Sequence, residues 1–156
     1  MNRPLNIGTD KALQKIKHFC AYQERNHREV KEKLYSYGLY KPQVEELISL
    51  LIEENFLNEE RYAIAFSGGK FRMKGWGKNK IKYALRQQQV SEYCIRTGMN
   101  SINEEEYEKK LQQLFDQKLK TQKAEKNIFI KKRKLQDFLM QRGFETSLIN
   151  KLLKDV

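Results

Sequence analysis

One local pattern is written three times in this chain. Leu34, Leu85 and Leu139 can be placed in register at offsets of 51 and 54 residues. Four residues before each stand Val30, Ile81 and Leu135. Four after stand Gly38, Gln89 and Gly143, each followed by an apolar residue (Leu39, Val90, Phe144). Ten and fourteen residues beyond the leucine come Val44, Ile95 and Ile149, then Ile48, Met99 and Leu153. The spacing predicts a helix closed by a glycine-type C-cap and followed by a second amphipathic helix. A leading helix repeats as well, since the segment Leu57, Asn58, Glu59, Glu60, Arg61, Tyr62 matches Ile102, Asn103, Glu104, Glu105, Glu106, Tyr107. The first copy, around Thr9 to Tyr22, fits that part poorly. The expected fold is therefore all-α: three tandem three-helix repeats forming an elongated, curved array of right-handed helices. Residues 1–9 are expected to be a flexible N-terminus. The repeats span 10–56, 57–101 (the most basic) and 102–156.

Local signals agree with helices throughout. Ala12, Leu13, Ile16, Phe19 and Cys20 form one apolar stripe, and Tyr107, Leu111, Leu114, Phe115 and Leu119 form another. Asn58, Ser91 and Asn103 each precede glutamates, as N-caps do, and Asn26 with Glu29 reads as a capping box. Pro42 suits the first turn of a helix running to about Glu54. Ser67, Gly68 and Gly69 sit where a helix interior is expected and are read as ending or kinking it. Between Tyr107 and Leu135 lie nine residues more than between Tyr62 and Ile81, so the third repeat has a longer first helix or a longer loop.

Composition narrows the function. With 39% hydrophobic and 33% charged residues, the chain folds around a modest core. The longest apolar stretch, Leu47 to Ile52, is too short to cross a bilayer. The amino terminus has no apolar signal core, so the expected location is the cytoplasm, with no membrane partner. Cys20 and Cys94 lack CxxC spacing and read as reduced, buried residues. His18 and Cys20 would point to different faces of a helix, and neither a metal nor a cofactor is expected.

Charge is the strongest functional signal. The 31 basic and 20 acidic residues give a net +11. Residues 58–103 carry nine basic and three acidic groups, whereas residues 1–57 are almost balanced. Residues 70–86 hold seven cations and no carboxylate: Lys70, Arg72, Lys74, Lys78, Lys80, Lys82 and Arg86. Phe71, Trp76 and Tyr83 interleave with them, either packing between helices or offering stacking surfaces. The backbone amides around Gly75 and Gly77 could face an anion, but the turn lacks Walker-loop spacing. A second run contains Lys131, Lys132, Arg133 and Lys134, as a solvated helix face or a further contact. No HExxH, GxSxG or nucleotide fingerprint occurs, and no catalytic residues are assigned; an enzyme is not expected.

These segments resemble the RecX family of recombinase regulators. The resemblance rests on Leu57 to Ala63, on Lys74, Gly75, Trp76 and Gly77 with Ile81 and Leu85, and on Arg133, Lys134, Leu135, Phe138 and Leu139 with Arg142, Gly143 and Phe144. The first repeat joins through Arg28, Glu29, Val30, Lys33 and Leu34, so the likeness covers roughly residues 12–154. Asn58 stands for the more usual Asp, and Gln89 for Gly.

The resemblance implies a protein that binds the groove of a RecA-type recombinase–DNA filament, dampens its ATPase and strand exchange, and limits its growth. Expected partners are that filament and, more weakly and salt-sensitively, single- and double-stranded DNA, with the protein a monomer. The contact set comprises Arg61, Lys70, Arg72, Lys74, Trp76, Lys78, Lys80, Lys82, Arg86, Lys131, Lys132, Arg133, Lys134 and Arg142. Two other readings stay open: a free-standing nucleic-acid-binding protein using helices 77–89 and 91–99, and a helical-repeat scaffold for a protein partner.

Overall fold

The computed structural model describes residues 3–156. Among them are nine α-helices and no strand: α1 (Thr9–Tyr22), α2 (His27–Ser36), α3 (Lys41–Glu53), α4 (Glu59–Lys74), α5 (Lys78–Gln87), α6 (Glu92–Asn100), α7 (Glu104–Lys120), α8 (Ile128–Gln141) and α9 (Thr146–Leu153). The most extensive helix–helix packing lies within the trios α1–α3, α4–α6 and α7–α9. The three-helix repeat legible in the sequence is the repeat of the fold.

Helix ends are set by the side chains the spacing picked out. Asn26 accepts from the Glu29 amide at 2.7 Å, and Glu29 accepts from the Asn26 amide at 3.1 Å, a closed capping box. Asn58, Ser91 and Asn103 accept from the amides of Arg61, Cys94 and Glu106. Pro42 occupies the first turn of α3. At the aligned C-terminal column, Gly38 (φ 83°), Gln89 (φ 63°) and Gly143 (φ 96°) are all left-handed. Gln89 holds that conformation at a cost of about 1 kcal/mol relative to glycine.

Two expectations are corrected. α4 runs unbroken through Ser67, Gly68 and Gly69. The reason is the crossing of α6: a Cβ at Gly98 would come within 2.6 Å of Ser67 Oγ and 2.9 Å of the Ala63 carbonyl oxygen. Small residues on both helices let the backbones approach, and that packing outweighs the helix-breaking tendency of glycine. The extra length of the third repeat is also differently placed. Relative to the second, α7 gains one residue, the following loop four, and the start of α8 four.

The repeats do not share one continuous core. Val30, Leu34, Leu39, Val44, Leu47 and Leu51 gather with α1 around a core belonging to the first unit. The second and third units share another, from Tyr62 and Phe71 through Ile81, Leu85 and Ile95 to Tyr107, Phe144 and Ile149. The solvent-exposed area of 10276 Å² exceeds the ~8,300 Å² expected for a compact globule of this mass, as an elongated stack requires.

Contacts between units one and two are largely polar. Arg61 Nε donates to Glu24 Oε1 at 2.7 Å, and its other nitrogens donate to the side chain and carbonyl of Asn55. Asn26 Nδ2 donates to Gln88 Oε1, and Arg28 Nη1 to the Gln87 carbonyl. Residues 3–8 lie against the first unit: Ile7 N–H donates to the Tyr37 carbonyl, Asn6 to Gln43, and Arg3 covers the Tyr40 ring. Residues 1 and 2 fall outside the described residues.

Cys20 and Cys94 are free and buried, and burial pushes the Cys20 thiol up to about 11. Both thiols are expected to ignore Ellman's reagent at pH 7–8 until denaturant is added. Gly69 has open space where a Cβ would stand. Gly69→Ala should therefore stabilise by up to ~1 kcal/mol through helix propensity, while Gly98→Ala should destabilise by about 1–3 kcal/mol through overpacking. Thermal melts followed by circular dichroism separate the two.

Candidate nucleic-acid interface

The basic segment is built around a clasp between the second and third units. α4 ends in a left-handed Gly75, whose N–H reaches the Phe71 carbonyl while that of Trp76 reaches Lys70. The next residues belong energetically to the third unit. Gly77 N–H donates to the Arg142 carbonyl at 2.7 Å, and Asn79 N–H to the Gly143 carbonyl at 2.9 Å. Lys78 N–H donates to the Tyr107 hydroxyl at 2.9 Å, and that hydroxyl donates in turn to Glu145. The start of α5, which has no side-chain cap of its own, is capped from the other repeat. A Cβ at Gly77 would lie 2.4 Å from the Gly143 carbonyl carbon, and one at Gly143 would lie 2.3 Å from Lys80 Cβ. Only glycine permits this approach.

Two sequence readings change as a result. The amides of Gly75, Trp76, Gly77, Lys78 and Asn79 are all occupied within the protein, so the loop is no anion cradle. Two of the proposed contact cations also serve the clasp. Lys78 Nζ pairs with Glu104 at 2.5 Å and covers the Tyr107 ring, leaving its side chain 14% exposed. Arg142 donates to the Lys74 carbonyl at 3.0 Å and lies over Phe138. Burial, followed by the Glu145 hydrogen bond, drives the Tyr107 phenol well above its usual range, so it stays a neutral donor and acceptor.

Two of the remaining cations flank Trp76. Lys70 Nζ and Lys80 Nζ lie 5.0 and 4.6 Å from its ring centroid, and Lys70 also covers Phe66. Lys70, Arg72, Lys74, Lys80 and Lys82 have no carboxylate within 4.0 Å among the described residues. Arg86 is paired with Glu92 at 2.8 Å, which holds that carboxyl below its ordinary range. Arg61 is spent on Glu24 and Asn55 at the first junction. The three aromatics divide: Phe71 is core, stacked on Tyr107; Trp76 is half-buried between its lysines; Tyr83 is 65% exposed.

The second basic run lies on the lengthened start of α8. Lys134 approaches Glu125 at 3.8 Å, Arg133 is exposed, and Lys131 and Lys132 are half-buried. Beside them Ile128, Phe129 and Ile130 are exposed, Phe129 by 81%. Sequence reasoning passed over this apolar tip. Its one signal was the nine-residue insertion, because an apolar triplet at a helix start reads as core until the fold leaves it uncovered.

No group of three or more metal-ligating side chains occurs among the described residues, nor any helix long and apolar enough to cross a membrane. Residues 58–99 match the sequence family described as RecX, second three-helix domain, and residues 104–153 match RecX, third three-helix domain. The chain is 32% identical over 136 residues to regulatory protein RecX of Clostridium botulinum (strain Eklund 17B / Type B), covering 85% of this chain and 63% of that protein. It is 29% identical over 155 residues to regulatory protein RecX of Thermotoga petrophila, covering 99% of this chain and 89% of that one. The chain spans about three fifths of the length of its clostridial relatives (61% and 63%). The crystal structure of RecX from Lactobacillus salivarius superposes with a TM-score of 0.84 at 20% identity, over 94% of this chain and 95% of that one, and so shares its fold.

The clasp predicts a sharp asymmetry among glycines. Gly77→Ala should cost about 2–3 kcal/mol, since backbone must move to admit the methyl group. Gly8→Ala, with a φ of 84° but nothing within 4 Å, should cost only about 1 kcal/mol. Urea unfolding of both variants provides the comparison.

Proposed function

The chain belongs to the RecX family of regulatory proteins, and we propose on that premise that it binds a RecA-type recombinase filament on DNA. There it dampens ATP hydrolysis and strand exchange and limits filament growth, in cytoplasmic DNA repair and recombination and the SOS response. The observation that carries the reading is a set of cations on α4 and α5 with no carboxylate within 4.0 Å among the described residues: Lys70 and Lys80 beside Trp76, and Arg72, Lys74 and Lys82 on the same two helices. Crowding like charges opposes folding, and an anionic partner relieves it. A groove wound around DNA supplies such a partner. Single- and double-stranded DNA bind the same cations more weakly and with strong salt dependence. The three repeats, 10–56, 57–101 and 102–156, give a monomer the reach to touch neighbouring protomers. The central cations fall within the second three-helix domain, residues 58–99.

A helix-turn-helix reading is less well supported. α6 buries Cys94, Ile95, Gly98 and Met99 against the rest of its unit, and its outer face shows Glu92, Tyr93, Arg96 and Asn100. A carboxylate at the helix start would meet DNA phosphates unfavourably.

The test is ATP hydrolysis by the host recombinase, preassembled on single-stranded DNA and titrated with this protein at fixed salt, with binding to bare DNA followed in parallel. Inhibition well below the concentration that saturates bare DNA is expected; inhibition only at saturation means competition for DNA. Lys74→Gln/Lys80→Gln/Lys82→Gln should raise the half-inhibitory concentration by about tenfold or more while helicity and melting persist. Lys78 is left intact in that variant because it holds Glu104 and Tyr107.

A further inference from the structure

Unit one is nearly neutral overall, with nine basic and eight acidic residues over positions 1–57, yet its cations are not evenly spread. An open depression of about 550 Å³ on this unit is lined by Lys15, His18, Phe19, Tyr22, Arg25 and Tyr37, with Gln14 at its edge. None of these is acidic. Lys15, His18, Phe19 and Tyr22 share one face of α1, at helical spacing. Lys33 reaches in from α2, its Nζ 5.5 Å from the Phe19 ring and 5.9 Å from Tyr37, and Lys15 lies 5.7 Å from Tyr37. The Arg25 guanidinium stacks on Phe19 at 3.7 Å, donates to the Phe19 carbonyl at 2.9 Å and approaches Glu29 at 3.8 Å, which fixes the floor. Tyr22 is 84% exposed, with no ring or cation over it among the described residues.

The depression connects to the central surface through a run of contacts. Glu29, Tyr62, Phe66 and Lys70 line one neighbouring hollow. Tyr62 and Phe66 stack at 5.7 Å, Lys70 covers Phe66 at 5.5 Å, and the same lysine covers Trp76. These contacts lead from one cation–aromatic platform to the other past the carboxylates of Glu24 and Glu29. These carboxylates are themselves held by Arg61 and Arg25.

We propose that the unit-one depression is a second binding platform for single-stranded nucleic acid, with Tyr22 stacking on an unpaired base and Lys15 and Lys33 meeting the flanking phosphates. This rests on the nucleic-acid half of the function proposed above and extends it to a unit with almost no net charge. A flexible strand fits because its bases are free to turn onto an exposed ring and its phosphates to lie on lysines either side. A duplex keeps its bases stacked and offers Tyr22 no face. An acidic protein segment would match the lysines but would leave the bare ring of Tyr22 without its stacking partner.

The experiment measures fluorescence anisotropy of a fluorescein-labelled oligothymidylate across a salt series, with the full chain and three variants. Tyr22→Ala should weaken binding by at least about fivefold, the low end for loss of one base–aromatic stack. Lys15→Gln/Lys33→Gln should make the slope of log affinity against log salt shallower by about 1.4, the value for two single-strand phosphate contacts. The exposed pair Lys31 and Lys41 lies outside the depression, so Lys31→Gln/Lys41→Gln removes the same charge and should change affinity less than about twofold. All these side chains are exposed, so folding should survive in every variant. Equal losses in the two lysine pairs would reduce the effect to net charge and overturn the platform, as would unchanged affinity on losing Tyr22. Running recombinase inhibition beside it separates the two proposals. Platform variants that bind oligothymidylate normally but fail to inhibit would make this face a protein contact and overturn the inference. Wild-type binding that depends on Tyr22 without any inhibition would overturn filament regulation and leave the platform standing.

Discussion

Gly77 and Gly143 bring two backbones together closely enough that no side chain fits between them, and much of the molecule follows from that contact. Because the loop after α4 lies against the loop after α8, the unsatisfied amides at the start of α5 find carbonyls and a phenol in another repeat. Their satisfaction there removes any need for a local cap and ties two helix ends into one hydrogen-bonded unit. The same contact brings Phe71, Tyr107 and Phe144 into one aromatic stack, with ring centroids 5.6 and 5.3 Å apart. A shared apolar core for units two and three is the consequence.

The clasp also sorts the cations. Lys78 and Arg142 sit beside it and are drawn into pairing with Glu104 and the Lys74 carbonyl. Lys70 and Lys80 are held beside Trp76, and Lys74 and Lys82 on the same helices likewise have no carboxylate within 4.0 Å among the described residues. A surface charge with no internal partner keeps its full attraction for phosphate, whereas one already paired must first break that pair. The junction between units one and two is different in kind. Arg61, Asn26 and Arg28 cross it by hydrogen bonds, and unit one keeps its own core. Units two and three thus share a core and a hydrogen-bonded clasp, whereas unit one keeps its own core and joins them through polar contacts.

Much of the candidate surface was visible in the order of residues. The run from Lys70 to Arg86 stood out because seven cations without a carboxylate exceed what a solvated helix face needs. Its division into bound and free members was not visible, since Glu104 and Glu92 lie at different distances along the chain and only folding decides which lysine or arginine meets them. Arg61 shows the same limit: beside two glutamates it reads as an exposed cation, but the fold turns it toward Glu24, thirty-seven positions earlier. The uncovered Phe129 and the unit-one depression escaped for the converse reason. Apolar and aromatic residues at helical spacing look like core until neighbouring helices fail to cover them.

What the sequence determined by itself is the repeat. Helical periodicity, asparagine and serine caps, and the recurring glycine position act over four to ten residues, and the physics at that range is local. Hence the nine helices of the described residues and the left-handed turns at Gly38, Gln89 and Gly143 could be read from it. Tertiary structure alone decided that units two and three merge while unit one stands apart, and that Ser67, Gly68 and Gly69 continue a helix. Both outcomes depend on how closely two backbones can approach across distant parts of the chain. That distance is set by which small residues face each other, at Gly77 with Gly143 and at Ser67 with Gly98, and no local pattern encodes the pairing.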